Sequence, residues 1–488
     1  MKSVLISPGG ALVGVIAGFA LASAACHGAP VAGAATPFVS PGGVQEQCIR
    51  IEDFPGALYS PADREMEAAY CALDVWRLAL CPKLWSTSPG TILYEIDADR
   101  WGGDYARFER EHCGRGHHTA AAAIAQRATF KVSVNEPDTS ATYAPASWVY
   151  YHLSRYFRTG IHVPVAVYRS IDARLHHKRV VEPALAAVAG RHGLGMLEAG
   201  WRLLDAVETG EREGRAAHAV LTDEGRQLYG VLLSSEGDRY GAEVNGTRES
   251  GWGAGQNHDF QQTAPFLALR SDKPVREAAL AAIEEARGNP LMAKALRADT
   301  PVEQVVLWMQ DVLEITLLDY ILGQQDRIGN IDYNWRWYWL EQGELKSAPA
   351  AGKTVPAGLR DHRPLRLRQS AINDNDAGVR RGYADFALKT HMLEGLRHYN
   401  AALYRRLGLL AADLAGRGPA YRWLVESAGL GAKEADAIAS RAVGAFELLQ
   451  ADCRRGTLRL DLDPAQVLDT SPAAGGEAGP GACVIDGA

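Results

Sequence analysis

The chain of 488 residues has no contiguous block of lysine and arginine of the kind that grips phosphates. Its formal net charge is −7, so the basic face expected of a nucleic-acid binder is missing, which speaks against nucleic acid as a partner. No Gly-x-Ser-x-Gly elbow occurs, which leaves Ser-His-Asp hydrolysis without support. No Cys-x-x-Cys or Cys/His pair has metal-ligand spacing; Cys113 beside His112, His117 and His118 comes nearest. Self-similarity at a solenoid period is also absent.

Long hydrophobic runs are scarce. The apolar stretch from Ala11 to Ala25 is too short and too rich in glycine and alanine to span a bilayer. Preceded by Lys2 and ending in Ala22-Ser23-Ala24, it reads as a signal peptide over residues 1–25, which implies export to a periplasmic or extracellular space. Cys26 leaves lipid attachment open as the one route to a membrane, although Leu21 lies five residues before it, where a lipoprotein signal places leucine three before.

What remains is ordinary for a globular chain. Hydrophobic residues make up 47% and charged residues 22%, and the length suits two or more domains or one large two-lobed unit. Beyond Cys26 there are six cysteines: Cys48, Cys71, Cys81, Cys113, Cys453 and Cys483. An even number in an exported chain suits three disulfides, and free buried thiols are the alternative; spacing cannot choose among about 15 pairings. Four of the six precede residue 114, which suggests an N-terminal cap stapled to itself.

Residues 26–45, rich in Ala, Gly and Pro, read as a flexible tether, and 471–488 as a disordered tail. Apolar periodicity predicts helices over 62–80, 146–157, 275–287, 301–322, 391–410 and 433–451. Alternation predicts strands over 128–134, 163–169 and 228–234, with Lys131 at mid-strand on the face opposite Phe130 and Val132. The implied division is a cysteine-containing cap at 46–118, a β-rich lobe at 119–250 and a helical lobe at 251–470.

Two polar loops stand out. Gly323-Gln324-Gln325-Asp326-Arg327-Ile328-Gly329-Asn330 joins an apolar helix to the aromatic strand that holds Trp335, Trp337 and Trp339. Ile372-Asn373-Asp374-Asn375-Asp376 forms a second acidic turn further on. An acid and an amide four residues apart on such a loop suit phosphoryl transfer, the acid for the attacking hydroxyl and the amide oxygen for a metal ion. Read singly, each of these motifs is also an ordinary turn, ion pair or cap. The segment from Tyr240 to Gly253, with four glycines, suits a wall of a cleft or a surface loop packed by Trp252. Asn245-Gly246-Thr247 matches a glycosylation acceptor. The alternating tryptophans suit either a sugar-stacking platform or, more commonly, buried strand aromatics.

In their order — strand lysine, helix, strand, Asp326 with Asn330, then Asp374 — these parts resemble the atypical branch of the protein-kinase-like superfamily over residues 125–400. The branch includes Golgi casein-kinase-type secretory kinases, HipA-type kinases and phosphoinositide 3-/4-kinases. The resemblance implies an α+β, two-lobed kinase-like fold that uses ATP or another nucleotide with Mg²⁺ or Mn²⁺. It implies γ-phosphoryl transfer to a hydroxyl of a protein, peptide or glycan. Asp326 is then the catalytic acid, Asn330 and Asp374 hold metal with Asp376 as substitute, and Lys131 contacts the α/β-phosphates. Three departures follow. The Asp326–Asn330 interval is one residue shorter than in most relatives, which makes Asp332 an alternative ligand. Ile328 replaces a histidine. The helix at 146–157 has no acid to hold Lys131, a role left to Glu136, Asp138 or Glu243 from loops, or to nothing in a pseudokinase-type nucleotide- or glycan-binding protein. The glycine loop that covers phosphates in these families has only Gly102-Gly103 and Gly114-Arg115-Gly116 as candidates.

Overall fold

Seven short, largely apolar strands pair into one antiparallel sheet in the order β1-β2-β6-β7-β5-β4-β3. They are β1 (Gly33–Val39), β2 (Gln45–Ile51), β3 (Ala79–Pro82), β4 (Thr91–Glu95), β5 (Ala125–Val132), β6 (Ala166–Asp172) and β7 (Gln227–Leu233). A second sheet has β9 (Ile331–Glu341) at its centre, flanked by β10 (Glu344–Pro349) and β11 (Leu365–Ile372), with the two-residue β8 (Asp238–Arg239) pairing β9 as well. This computed structural model describes residues 31–114, 121–222, 225–234, 237–379, 385–468 and 483. The fold is α+β. The signal segment, Cys26, His117, His118 and the tail other than Cys483 lie outside the described residues.

The helical part is built on Val302–Leu322, in which every residue from Gln304 to Leu322 is buried. A mainly apolar helix with no solvent face belongs inside, and here other helices and β11 surround it. One continuous apolar core joins it to the large sheet, with Ala144–Phe157 packed between them. Among the described residues, no helix is long and apolar enough to cross a membrane.

Several expected boundaries move, each for a local reason. Gly33–Val39, inside the expected tether, pairs with β2 along its whole length as an edge strand. An edge strand with a largely exposed face needs no apolar alternation, so composition hid it. The expected cap and β-rich lobe share one sheet, since β2, β3 and β4 join β5, β6 and β7. The helix expected over 62–80 stops at Cys71; its start carries a Ser60–Asp63 capping box, and Leu80 belongs to β3. The helix expected from 391 begins at Ala401, because His391 and Gly395 adopt left-handed φ and the Asn400 side chain caps Ala402 and Leu403. The six cysteines pair as Cys48–Cys71, Cys81–Cys113 and Cys453–Cys483.

Candidate functional site

The Val302–Leu322 helix must stop abruptly for the polar loop after it to turn back towards β9. Gly323 does this with φ 61°, donating its N–H to the Asp319 carbonyl. A Cβ there would also meet the Arg441 guanidinium at 2.7 Å, so both conformation and space demand glycine. Gln324 then folds its side-chain oxygen back to accept from the backbone N–H groups of Gln325 (2.9 Å) and Asp326 (3.0 Å).

Two buried side chains lock the loop in place. Arg327 pairs with Asp319 at 2.9 Å and donates to the Asn373 carbonyl (2.6 Å) and the Asn375 side-chain oxygen (2.8 Å), which ties the Asp326 loop to the Asp374 turn. Asn245 uses its amide completely. Its oxygen accepts from Gly329 (2.9 Å) and Ile331 (3.2 Å), and its nitrogen donates to the carbonyls of Tyr240 (2.9 Å) and Ile331 (3.0 Å). The sequon residue is thus an internal latch for the loop.

From the other side comes the strand lysine. Lys131 Nζ donates to Asp374 Oδ1 at 2.8 Å and to Asp376 Oδ1 at 3.0 Å. Burial alone would lower the Lys131 pKa, but the two carboxylates outweigh it and the net shift is upward. The Lys131 ammonium in turn holds Asp374 well below the usual carboxylate range against burial, with Lys83 and Arg239 adding to the effect. Asp374 sits at φ 51°, a strained region for a residue other than glycine and a common sign of a functional position. Its side chain is 34% exposed against 3% for Asp376, so Asp374 faces outward and Asp376 is a buried brace.

Asp326, Asn330, Asp374 and Asp376 line one polar cavity of about 350 Å³, together with Lys83 and Arg239. Asp326 Oδ1 accepts from the Trp252 indole N–H at 3.3 Å. Arg239 donates to Asn330 Oδ1 at 2.7 Å and also contacts the Gly329 carbonyl and Asp332. Asn373 donates to the other Asp332 oxygen, so that acid is committed to the protein.

No protein-family model, curated protein or solved structure matches this chain. The site therefore stands on its own chemistry. Among the described residues, no group of three or more His, Cys, Asp or Glu is arranged to hold a metal ion. The Asp374 carboxylate and Asn330 amide are hard oxygen donors; they fit Mg²⁺ or Mn²⁺ when phosphate oxygens complete the shell, as such ions are bound in nucleotide sites.

The structure brings Lys131, Asp326, Asn330, Asp374 and Asp376 together across more than 240 positions of sequence separation. It does not bring Glu136 or Glu243 to Lys131. Glu136 pairs with Arg212 at 3.1 Å, and Glu243 with Arg368 at 2.7 Å. The acids that hold the lysine, Asp374 and Asp376, come from the Asp374 turn instead. The tryptophans of β9 are not in the cavity wall; Trp337 is buried and Trp335 lies under the Arg366 guanidinium at 3.8 Å.

Sequence reasoning passed over Lys83, Arg239 and the latch role of Asn245. Lys83 and Arg239 belong to no motif, and the contacts of Asn245 with Gly329 and Ile331 join segments more than 80 residues apart.

Proposed function

We propose that the chain is a metal-dependent, kinase-like phosphotransferase that moves a nucleotide γ-phosphoryl group to a hydroxyl of a protein, peptide or glycan. The observation that carries this reading is the shared cavity: Asp326, Asn330 and Asp374 line one wall, and Lys131 braces Asp374 from the sheet. Asp326 accepts the proton of the acceptor hydroxyl as its oxygen bonds to the γ-phosphorus and the bond from that phosphorus to the β,γ-bridging oxygen breaks. The nucleoside diphosphate leaves with that electron pair. Asn330 and Asp374 would hold Mg²⁺ or Mn²⁺, which supplies charge neutralisation for the phosphates. Lys131 keeps Asp374 ionised and aimed; Asn245 and Arg327 fix the loop that presents Asp326. Positioning and electrostatics supply the rate.

The reading includes export. Three disulfide pairs and the leader at 1–25 support a periplasmic or extracellular location, with Cys26 as the lipid-anchor alternative.

A second reading, a pseudokinase-type binding module, is favoured by one contact: Arg239 sits on Asn330 Oδ1 and Asp332, the donors a metal would use. ATP turnover with Mg²⁺ or Mn²⁺ separates the two. The enzyme reading expects γ-phosphate release or transfer that disappears in Asp326→Ala while nucleotide binding persists. Binding without turnover in the wild type supports the module.

A further inference from the structure

We propose that Lys83, rather than Lys131, is the amine that contacts the phosphates of the nucleoside triphosphate, presented by a hydroxyl-bearing loop over the cavity. This rests on the phosphotransferase reading and assigns a residue that the kinase resemblance does not.

Lys131 is poorly placed for that contact. Its side chain is 5% exposed, two of its three N–H donors already serve Asp374 and Asp376, and it lies behind those acids rather than in the cavity wall. Lys83 is in the wall. It opens the hairpin loop between β3 and β4, Lys83-Leu84-Trp85-Ser86-Thr87-Ser88-Pro89-Gly90. The loop is closed at its base by the Lys83 N–H donating to the Gly90 carbonyl at 2.8 Å.

The Lys83 ammonium makes no hydrogen bond or close ion pair with any described residue, although Asp374 and Asp376 act on it through space against the repulsion of Lys131 and Arg239. Burial lowers its pKa, and Asp374 opposes that only in part. Lys83 is half-buried, so its ammonium faces the cavity, and a cation there without a bonded counter-charge offers a site that an anion can complete. The same loop carries Ser86, Thr87 and Ser88 into the cavity lining, with Ser86 Oγ donating to the Ser88 carbonyl at 2.9 Å. Hydroxyls and an ammonium in the same cavity as Asp374 and Asn330 match a polyphosphate: those two residues would hold the metal, and the loop would take phosphate oxygens.

The test is isothermal titration of wild type, Lys83→Met and Lys83→Arg with ATP plus Mn²⁺, with AMP plus Mn²⁺ as a second ligand. The expected result is a tenfold or greater loss of ATP affinity in Lys83→Met, substantial recovery in Lys83→Arg, and a clearly smaller effect on AMP. Because the ammonium has no bonded partner, Lys83→Met is expected to keep the wild-type Tm, which separates ligand contact from a structural role. Wild-type binding of Mn²⁺–ATP with Lys83→Met within twofold of it overturns this assignment alone. No Mn²⁺–ATP binding by the wild type overturns the phosphotransferase reading and this assignment together.

Discussion

Lys131 and Asp374, 243 residues apart, meet at 2.8 Å beneath the cavity, and Asp376 completes the cage. Removing one member of a buried charged set leaves the others uncompensated, at a cost of about 3–5 kcal/mol. Lys131→Met is therefore expected to lose stability of that order in urea denaturation, and Lys131→Met with Asp376→Asn to recover part of it. A single variant as stable as wild type contradicts the cage.

The Asp326 N–H is held by the Gln324 side chain and its carboxylate lines the cavity, where the phosphotransferase reading gives it the role of general base. Asp326→Asn is expected to slow phosphoryl transfer by about 10²- to 10⁴-fold, the range for loss of a general base. Titration should show the ATP affinity of this variant close to wild type. A parallel loss of binding and turnover would give Asp326 a different role.

All four polar valences of Asn245 are engaged inside the protein, three of them on the segment that carries Asn330. Asn245→Ala leaves buried backbone groups unpaired, an expected loss of about 1–3 kcal/mol. Mass spectrometry of the chain made in a glycosylating host should find no glycan at this position. An occupied sequon together with an unchanged Tm would refute the latch.

Asp311 lies buried on the Val302–Leu322 helix, accepting from the Ser370 N–H of β11 at 2.9 Å. Burial first, and Glu314 second, push its pKa up to about 8; burial likewise raises Glu314 to about 7. In the unfolded chain these groups titrate near ~4. Between the unfolded and folded values the native state keeps protons that the unfolded chain has lost. Their contribution is thus fully present below pH ~4 and fades as pH rises through about 7 to 8. Urea midpoints of Asp311→Asn at pH 5 and pH 8 should differ less than those of wild type. Identical pH dependence in the two proteins would show that Asp311 is ionised throughout.

Much of this was legible in the sequence wherever a signal was local. The apolar periodicity of 301–322, the strand around Lys131 and the two acidic loops each lie within a short window, and the structure has a helix, a strand and two turns there. What escaped depended on distance. Lys83 has no neighbours in sequence that mark it, and its surroundings exist only once β3, β4 and β5 pair. Glu136 and Glu243 are acids on loops that the sequence offers as partners for Lys131, yet in the fold they pair with Arg212 and Arg368. The edge strand at Gly33–Val39 went unread because one-sided pairing asks little of side chains. The disulfide pairing, likewise, is a property of the folded chain.

The most direct test of the phosphotransferase reading is calorimetric titration of the wild type and Asp374→Asn with ATP, each with and without Mn²⁺. Saturable binding by the wild type that requires the metal, and its loss in Asp374→Asn with the fold retained, is the predicted result. Binding that is indifferent to both Mn²⁺ and Asp374, or no binding at all, would contradict a phosphoryl-transfer site in this cavity.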